Sequence, residues 1–137
     1  MDNWIIYGVL ASIFWGSYIV LTKITATKGI NQNTITILML IGIAIVFIIN
    51  AEINGIQIPQ NKTGILLGIT AGGLWALGMI MSILAITKGA DVSRLAPIYN
   101  TNTLVTVILG ILILQEELTI KTIAGAILII LGGIIIS

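Results

Sequence analysis

The stretch Gly64–Ile86, GILLGITAGGLWALGMIMSILAI, decides the fold. It runs for 23 residues without a charged side chain. About 20 mostly apolar residues in a helix cross the hydrocarbon core of a bilayer, so the run is long enough. Membrane β-barrel strands alternate apolar and polar residues, and this run does not. Its isoleucines would favour strands in water. In lipid, a run of this length must satisfy its own backbone groups, which makes it a helix.

Four more runs lie on either side: Trp4–Leu21, Thr34–Ala51, Val92–Leu114 and Thr119–Ile136. With Gly64–Ile86 they take up 100 of the 137 residues, and the other 37 suffice only for ends and turns. The breaks carry turn chemistry. They are Lys28-Gly29-Ile30-Asn31-Gln32-Asn33, then Asn54-Gly55 with Pro59-Gln60-Asn61-Lys62, then Lys88-Gly89-Ala90-Asp91, then Gln115-Glu116-Glu117. The expectation is an all-α integral membrane protein with five transmembrane helices, a single domain over residues 1–137.

Composition agrees. The chain is 58% hydrophobic and only 8% charged, against about 25% charged in an average soluble domain. A soluble enzyme would need more polar surface. The formal charge of +1 supplies no basic field for nucleic acid. Without Cys there is no disulfide, thiolate nucleophile or zinc–thiolate site, and without His the commonest metal ligand and general base are missing. No nucleophile–base pair, carboxylate pair or phosphate-cradling loop stands out, so no enzyme, metal or cofactor is expected. Met1-Asp2-Asn3 lacks the basic start of a cleavable signal.

An odd number of helices puts the two ends of the chain on opposite sides of the membrane. Lys62 and Lys121 fall on one side, and Lys28, Lys88 and Arg94, with Lys23 if it reaches the interface, on the other. So slight a bias does not fix an orientation. It fits a dual-topology protein, and equally a small protein with few charges.

An internal echo runs at an offset of 60. Ile5, Gly8, Ala11, Trp15, Thr27, Lys28 and Gly29 match Ile65, Gly68, Ala71, Trp75, Thr87, Lys88 and Gly89, seven identities in 25 positions. Either the first two helices and the next two are an old duplicated hairpin, or a biased composition has produced a coincidence. The echo fades in the second and fourth helices.

Small residues let helices approach closely in lipid. Gly8, Ser12 and Gly16 form one such stripe, Gly64, Gly68, Gly72 and Ala76 another, and Gly125, Gly132 and Gly133 mark the last helix. They predict packing, within the chain or against a second copy. Polar residues inside a span face an interior or a cavity. They gather in the fourth helix, where Tyr99, Asn102, Thr103 and Thr106 share one arc of about 100°. That face either lines a wet cavity or holds helices together. Pro97 in the same helix deprives the Ser93 carbonyl of its usual donor. Trp15 and Tyr18 share a face of the first helix and Trp75 takes the matching place in the third; with Tyr99 they are pocket walls or core filling. Trp4 and Tyr7 read as interfacial anchors. No carboxylate lies well inside a run, which speaks against proton-coupled export of cations. Lys23 attracts an anionic group, a helix end or lipid phosphate, and Arg94 divides the same way. The candidate substrate-binding set is Trp15, Tyr18, Lys23, Trp75, Tyr99, Asn102 and Thr103.

Phe14-Trp15-Gly16-Ser17 followed by Lys23 resembles the opening pattern of the EamA-type half of the drug/metabolite transporter superfamily. Leu95-Ala96-Pro97-Ile98 through Thr106-Val107-Ile108-Leu109-Gly110, then Glu116-Glu117-Leu118-Thr119, is similar to that family's fourth helix, with Pro near the start and Glu at the end. Ile123-Ala124-Gly125-Ala126-Ile127-Leu128-Ile129-Ile130-Leu131-Gly132 looks like its last. The resemblance implies one half of an inverted-repeat, ten-helix transporter, similar to the short five-helix bacterial and archaeal branch. It is more distant from the four-helix small multidrug resistance proteins, whose coupling Glu in the first helix has no counterpart here. It implies a small-molecule transporter in the cell membrane, working by alternating access as an antiparallel homodimer among membrane lipids, with helices one to four around the cavity and the fifth at the periphery or dimer contact. A half-transporter needing a different partner chain, and a non-transporting scaffold or lipid-binding subunit, are the alternatives.

Overall fold

In a computed structural model of the chain, residues 3–57, 59–117 and 119–136 are described. The Met1-Asp2 start and Leu118 of the fourth-helix pattern lie outside them. Every element among the described residues is helical: α1 (Asn3–Thr27), α2 (Gln32–Asn54), α3 (Lys62–Thr87), α4 (Val92–Tyr99), α5 (Asn102–Leu114) and α6 (Ile120–Ile136). Among the described residues four stretches are long and apolar enough to cross a membrane: Trp4–Thr27, Gln32–Asn54, Lys62–Thr87 and Val92–Leu114, the last comprising α4 and α5 together. The fifth, α6, is a shorter apolar helix of 17 residues.

Two differences from the sequence expectation have local causes. First, α1 continues past Leu21 to Thr27, so Lys23 is a helical residue. The polar residues there do not break a helix, because Thr25 Oγ1 donates to the Leu21 carbonyl (2.9 Å) and Thr27 Oγ1 to that of Ile24 (2.7 Å). Second, the fourth span is two helices and not one. It breaks at Asn100–Thr101, three residues beyond Pro97.

The chain forms two compact units. One comprises Met1–Ile19 and Ala90–Ser137, and the other Val20–Gly89. In the second unit α2 packs on α3. Its buried positions are Thr22, Ile35, Ser82, Ile83 and Ile86, all near the end of α1, the start of α2 or the end of α3. The core of this unit therefore sits beside the turns at Lys28 and Lys88. The first half of α3, from Lys62 through Gly78, is exposed throughout. In the first unit α6 packs on both α4 and α5, with Leu95, Gly110 and Gly133 buried.

The 60-residue echo continues into backbone geometry. Both α1 and α3 end in Thr-Lys-Gly, with Gly29 at φ 79° and Gly89 at φ 104°. Lys28 N–H donates to the Ile24 carbonyl (3.3 Å) and Lys88 N–H to that of Leu84 (3.0 Å). Such left-handed termini are where glycine is needed. Asn31 and Asp91 then stand at the N-caps of the next helices, and each carbonyl accepts the first helical bond, from Ile35 and Leu95. Ile35 and Leu95 are both buried, as are Thr22 and Ser82. Gly55 and Gln115, again 60 apart, close α2 and α5 with positive φ. The correspondence faint in the second and fourth helices of the sequence is thus present in their caps and buried positions.

Candidate functional site

The break in the fourth span starts from Pro97, which has no N–H to donate and whose ring crowds the preceding turn. Downstream the chain tightens to bonds between residues three apart. Asn100 N–H is shared between the carbonyls of Ala96 (3.2 Å) and Pro97 (3.1 Å), and Thr101 N–H donates to that of Ile98 (3.1 Å). Thr103 N–H donates to the Asn100 carbonyl (3.1 Å) and Leu104 N–H to that of Thr101 (3.0 Å). Asn100 and Thr101 keep right-handed angles, with ψ of −11° and −13°. The chain is tightened here, not unwound.

Several hydroxyls elsewhere in the spans are satisfied locally. Ser12, Ser17 and Thr70 each donate to the carbonyl four residues back, at 2.8–2.9 Å. At the break Thr101 Oγ1 donates to the Ile98 carbonyl (2.7 Å). Around it the pattern fails. Among the described residues, the side chains of Asn100, Asn102, Thr103 and Thr106 make no hydrogen bond. No buried side-chain nitrogen or oxygen in a buried or half-buried described residue lacks a partner, so the Thr103 hydroxyl stands at accessible surface. Asn100, Asn102 and Thr106 are exposed and Thr103 is half-buried. Two carboxamides and two hydroxyls thus present unused donors and acceptors in a span of apolar neighbours, Leu104, Val105, Ile108 and Leu109, themselves largely exposed. Hydrocarbon cannot satisfy them, and each such group costs several kcal/mol there, so a polar partner or water is required.

The shared arc of Tyr99 with Asn102, Thr103 and Thr106 assumed one continuous helix. Tyr99 ends α4 and the others belong to α5, so the break comes between them. Trp15 and Tyr18 lie in the same unit as Tyr99, Asn102 and Thr103, while Lys23 and Trp75 lie in the other. Tyr18, Lys23 and Tyr99 are half-buried and each is engaged with a partner. Trp15 is 60% and Trp75 49% exposed, so neither fills the core of its unit. Trp4 and Tyr7 are 70% and 69% exposed. Among the described residues no group of three or more His, Cys, Asp or Glu is placed to hold a metal ion.

The small-residue stripes do not pack within their units. A Cβ placed on Gly8, Gly16, Gly68 or Gly72 would meet nothing within 4 Å, and one on Gly64 would meet only its own N-cap, Asn61. Gly133 is the exception in α6, where a Cβ would stand 3.2 Å from the Pro97 carbonyl oxygen. Sequence reasoning missed both that contact and the part Asn100 plays at the break. The Asn100-Thr101-Asn102 run after Pro97 was the signal for the second; nothing in the sequence signalled the first.

Comparison with known families matches residues 2–137 to the EamA-like transporter family. An uncharacterised protein of Methanocaldococcus jannaschii is 31% identical over 137 residues, covering 100% of this chain and 98% of that protein. The relative is thus equally short. No solved structure matches the chain. The match spans nearly every residue, and the apolar helices are those of a multi-pass membrane protein: the chain belongs to the EamA-like transporter family.

Proposed function

We propose that the chain carries a small metabolite or drug across the cell membrane, with the break in the fourth span lining the path. The observation behind this reading is the unsatisfied polar cluster of Asn100, Asn102, Thr103 and Thr106. Interrupted spans in transporters lie where backbone and polar groups face a cavity and not lipid. Carboxamides and hydroxyls recognise hydrogen-bonding groups without demanding charge, so the cargo is neutral, zwitterionic or amphipathic. The aromatic faces of Trp15, Tyr18 and Tyr99, in the same unit as the break, supply apolar wall.

A five-helix chain supplies one half of an inverted repeat. In this reading a second copy, inserted the other way up, supplies the other half, and rocking of one copy against the other alternates access. The open Gly8–Gly16 and Gly64–Gly72 stripes support an assembled state, since they have no packing role inside their own units.

The test is transport in membrane vesicles, screened against a panel of small metabolites by mass spectrometry. Asn102→Leu is expected to lower transport about three- to tenfold, the worth of a neutral hydrogen bond, with expression unchanged. Trp15→Ala should also lower it. Wild-type transport in both variants would remove these residues from the path.

A further inference from the structure

Of the three glycines in α6, Gly125 and Gly132 have open space where a side chain would be. Gly133 does not. A Cβ there would stand 3.2 Å from the Pro97 oxygen, 3.8 Å from its carbonyl carbon and 3.9 Å from Thr101 Cγ2. The nearest of these is a backbone atom, which cannot swing aside as the tip of a side chain can. It is also the oxygen that accepts the Asn100 N–H at 3.1 Å, one of the bonds that tighten the break. The last helix therefore rests on the same carbonyl that shapes the turn before Asn102. Gly133 is buried, and α6 packs on both halves of the broken span.

We propose that Gly133 is a positioning residue for the polar break. Its missing side chain lets α6 lie against the Pro97 carbonyl, which holds the Pro97–Asn100 turn closed and sets where Asn100, Asn102 and Thr103 project. The last helix is then a working part of the candidate site and not a peripheral one. The geometric claim stands on the contact alone; its consequence for cargo rests on the transport reading above.

The chain has two prolines, Pro59 and Pro97, and no cysteine, which makes the test clean. Full-length protein is labelled isotopically at the proline carbonyl carbon and placed in bilayers of phosphatidylethanolamine and phosphatidylglycerol for solid-state NMR. Gly133→Ala is expected to move the Pro97 resonance and leave that of Pro59, in the loop before α3, in place. Gly132→Ala, beside it with open space, should move neither. In an Asn102→Cys background, Gly133→Ala should change the rate of maleimide labelling at position 102 by about fivefold or more, the effect of a modest overpacking. The variant Ser82→Cys, buried on α3, should stay unreactive, which separates repositioning from general unfolding. A Pro97 resonance indifferent to Gly133→Ala would overturn the contact. A shifted resonance with unchanged labelling at 102 would overturn the positioning role. If both effects appear while Asn102→Leu transports normally, the assignment of cargo to the break fails and the role of Gly133 stands.

Discussion

Four polar side chains of the fourth span differ from the mid-helix hydroxyls of α1 and α3 in how they are satisfied. Ser12, Ser17 and Thr70 return a hydrogen bond to their own helix and could face lipid at little cost. Asn100, Asn102, Thr103 and Thr106 do not. The residue types and their spacing were legible in the sequence, because Asn is rare in an apolar run and expensive there. Which groups lack a partner was not, since that depends on the turn after Pro97. The glycines teach the converse. Their spacing predicts packing within the chain or against a second copy; a Cβ at Gly68 meets nothing in the chain, and spacing alone cannot separate a glycine that touches a neighbour from one that faces outward. Gly68→Leu is accordingly expected not to destabilise the isolated chain, and to stabilise it by up to about 0.8 kcal/mol through helix propensity. The same variant should weaken self-association if that stripe meets a second copy. Thermal unfolding in detergent checks the first, and single-molecule subunit counting in bilayers the second. A large loss of stability would show that the stripe packs within the chain.

Among the elements, the spans were readable to within a few residues wherever apolar character and helix end together. Where they part, the sequence expectation falls short. The first run ends at Leu21 because Thr22 and Lys23 are polar, but the helix goes on to Thr27, stopped by the left-handed Gly29. In the fourth span Pro97 announced an interruption. Its position three residues later was not legible, because it depends on i→i−3 bonds through Asn100 and on α6 lying against the Pro97 carbonyl, a contact between residues 36 apart. Pro97→Ala restores the missing N–H and removes the ring from the preceding turn. A proline inside a helix costs about 3 kcal/mol relative to alanine, so the variant is expected to be more stable, by an amount up to that figure. It should also lose transport, because a continuous helix replaces the tightened three-residue bonds at Asn100 and Thr101 and turns Asn102 out of place. Unfolding midpoints and vesicle transport, measured on one preparation, check the pair. A straightened span that transports as well as wild type would separate the break from function.

At the scale of the whole molecule, family membership accounts for why so small a chain carries so few charges and so many exposed apolar residues. Its surface faces lipid, and in the proposed assembly a second copy as well. Composition alone placed it in a membrane, and the order of its motifs placed it in its family, because both are properties of long stretches that survive local ambiguity. The cargo is not legible at this scale, since two amides and two hydroxyls suit many neutral molecules. The central claim is that the broken fourth span meets water inside the membrane. Native-membrane labelling of Asn102→Cys with a membrane-impermeant maleimide, applied from either side of sealed vesicles, tests it most directly. Leu112→Cys, on an exposed and apolar stretch of the same α5, is the reference. A water-lined break requires the thiol introduced at position 102 to react while the one at position 112 stays inert. A thiol at position 102 as unreactive as that at 112 would place the break in lipid and contradict the claim.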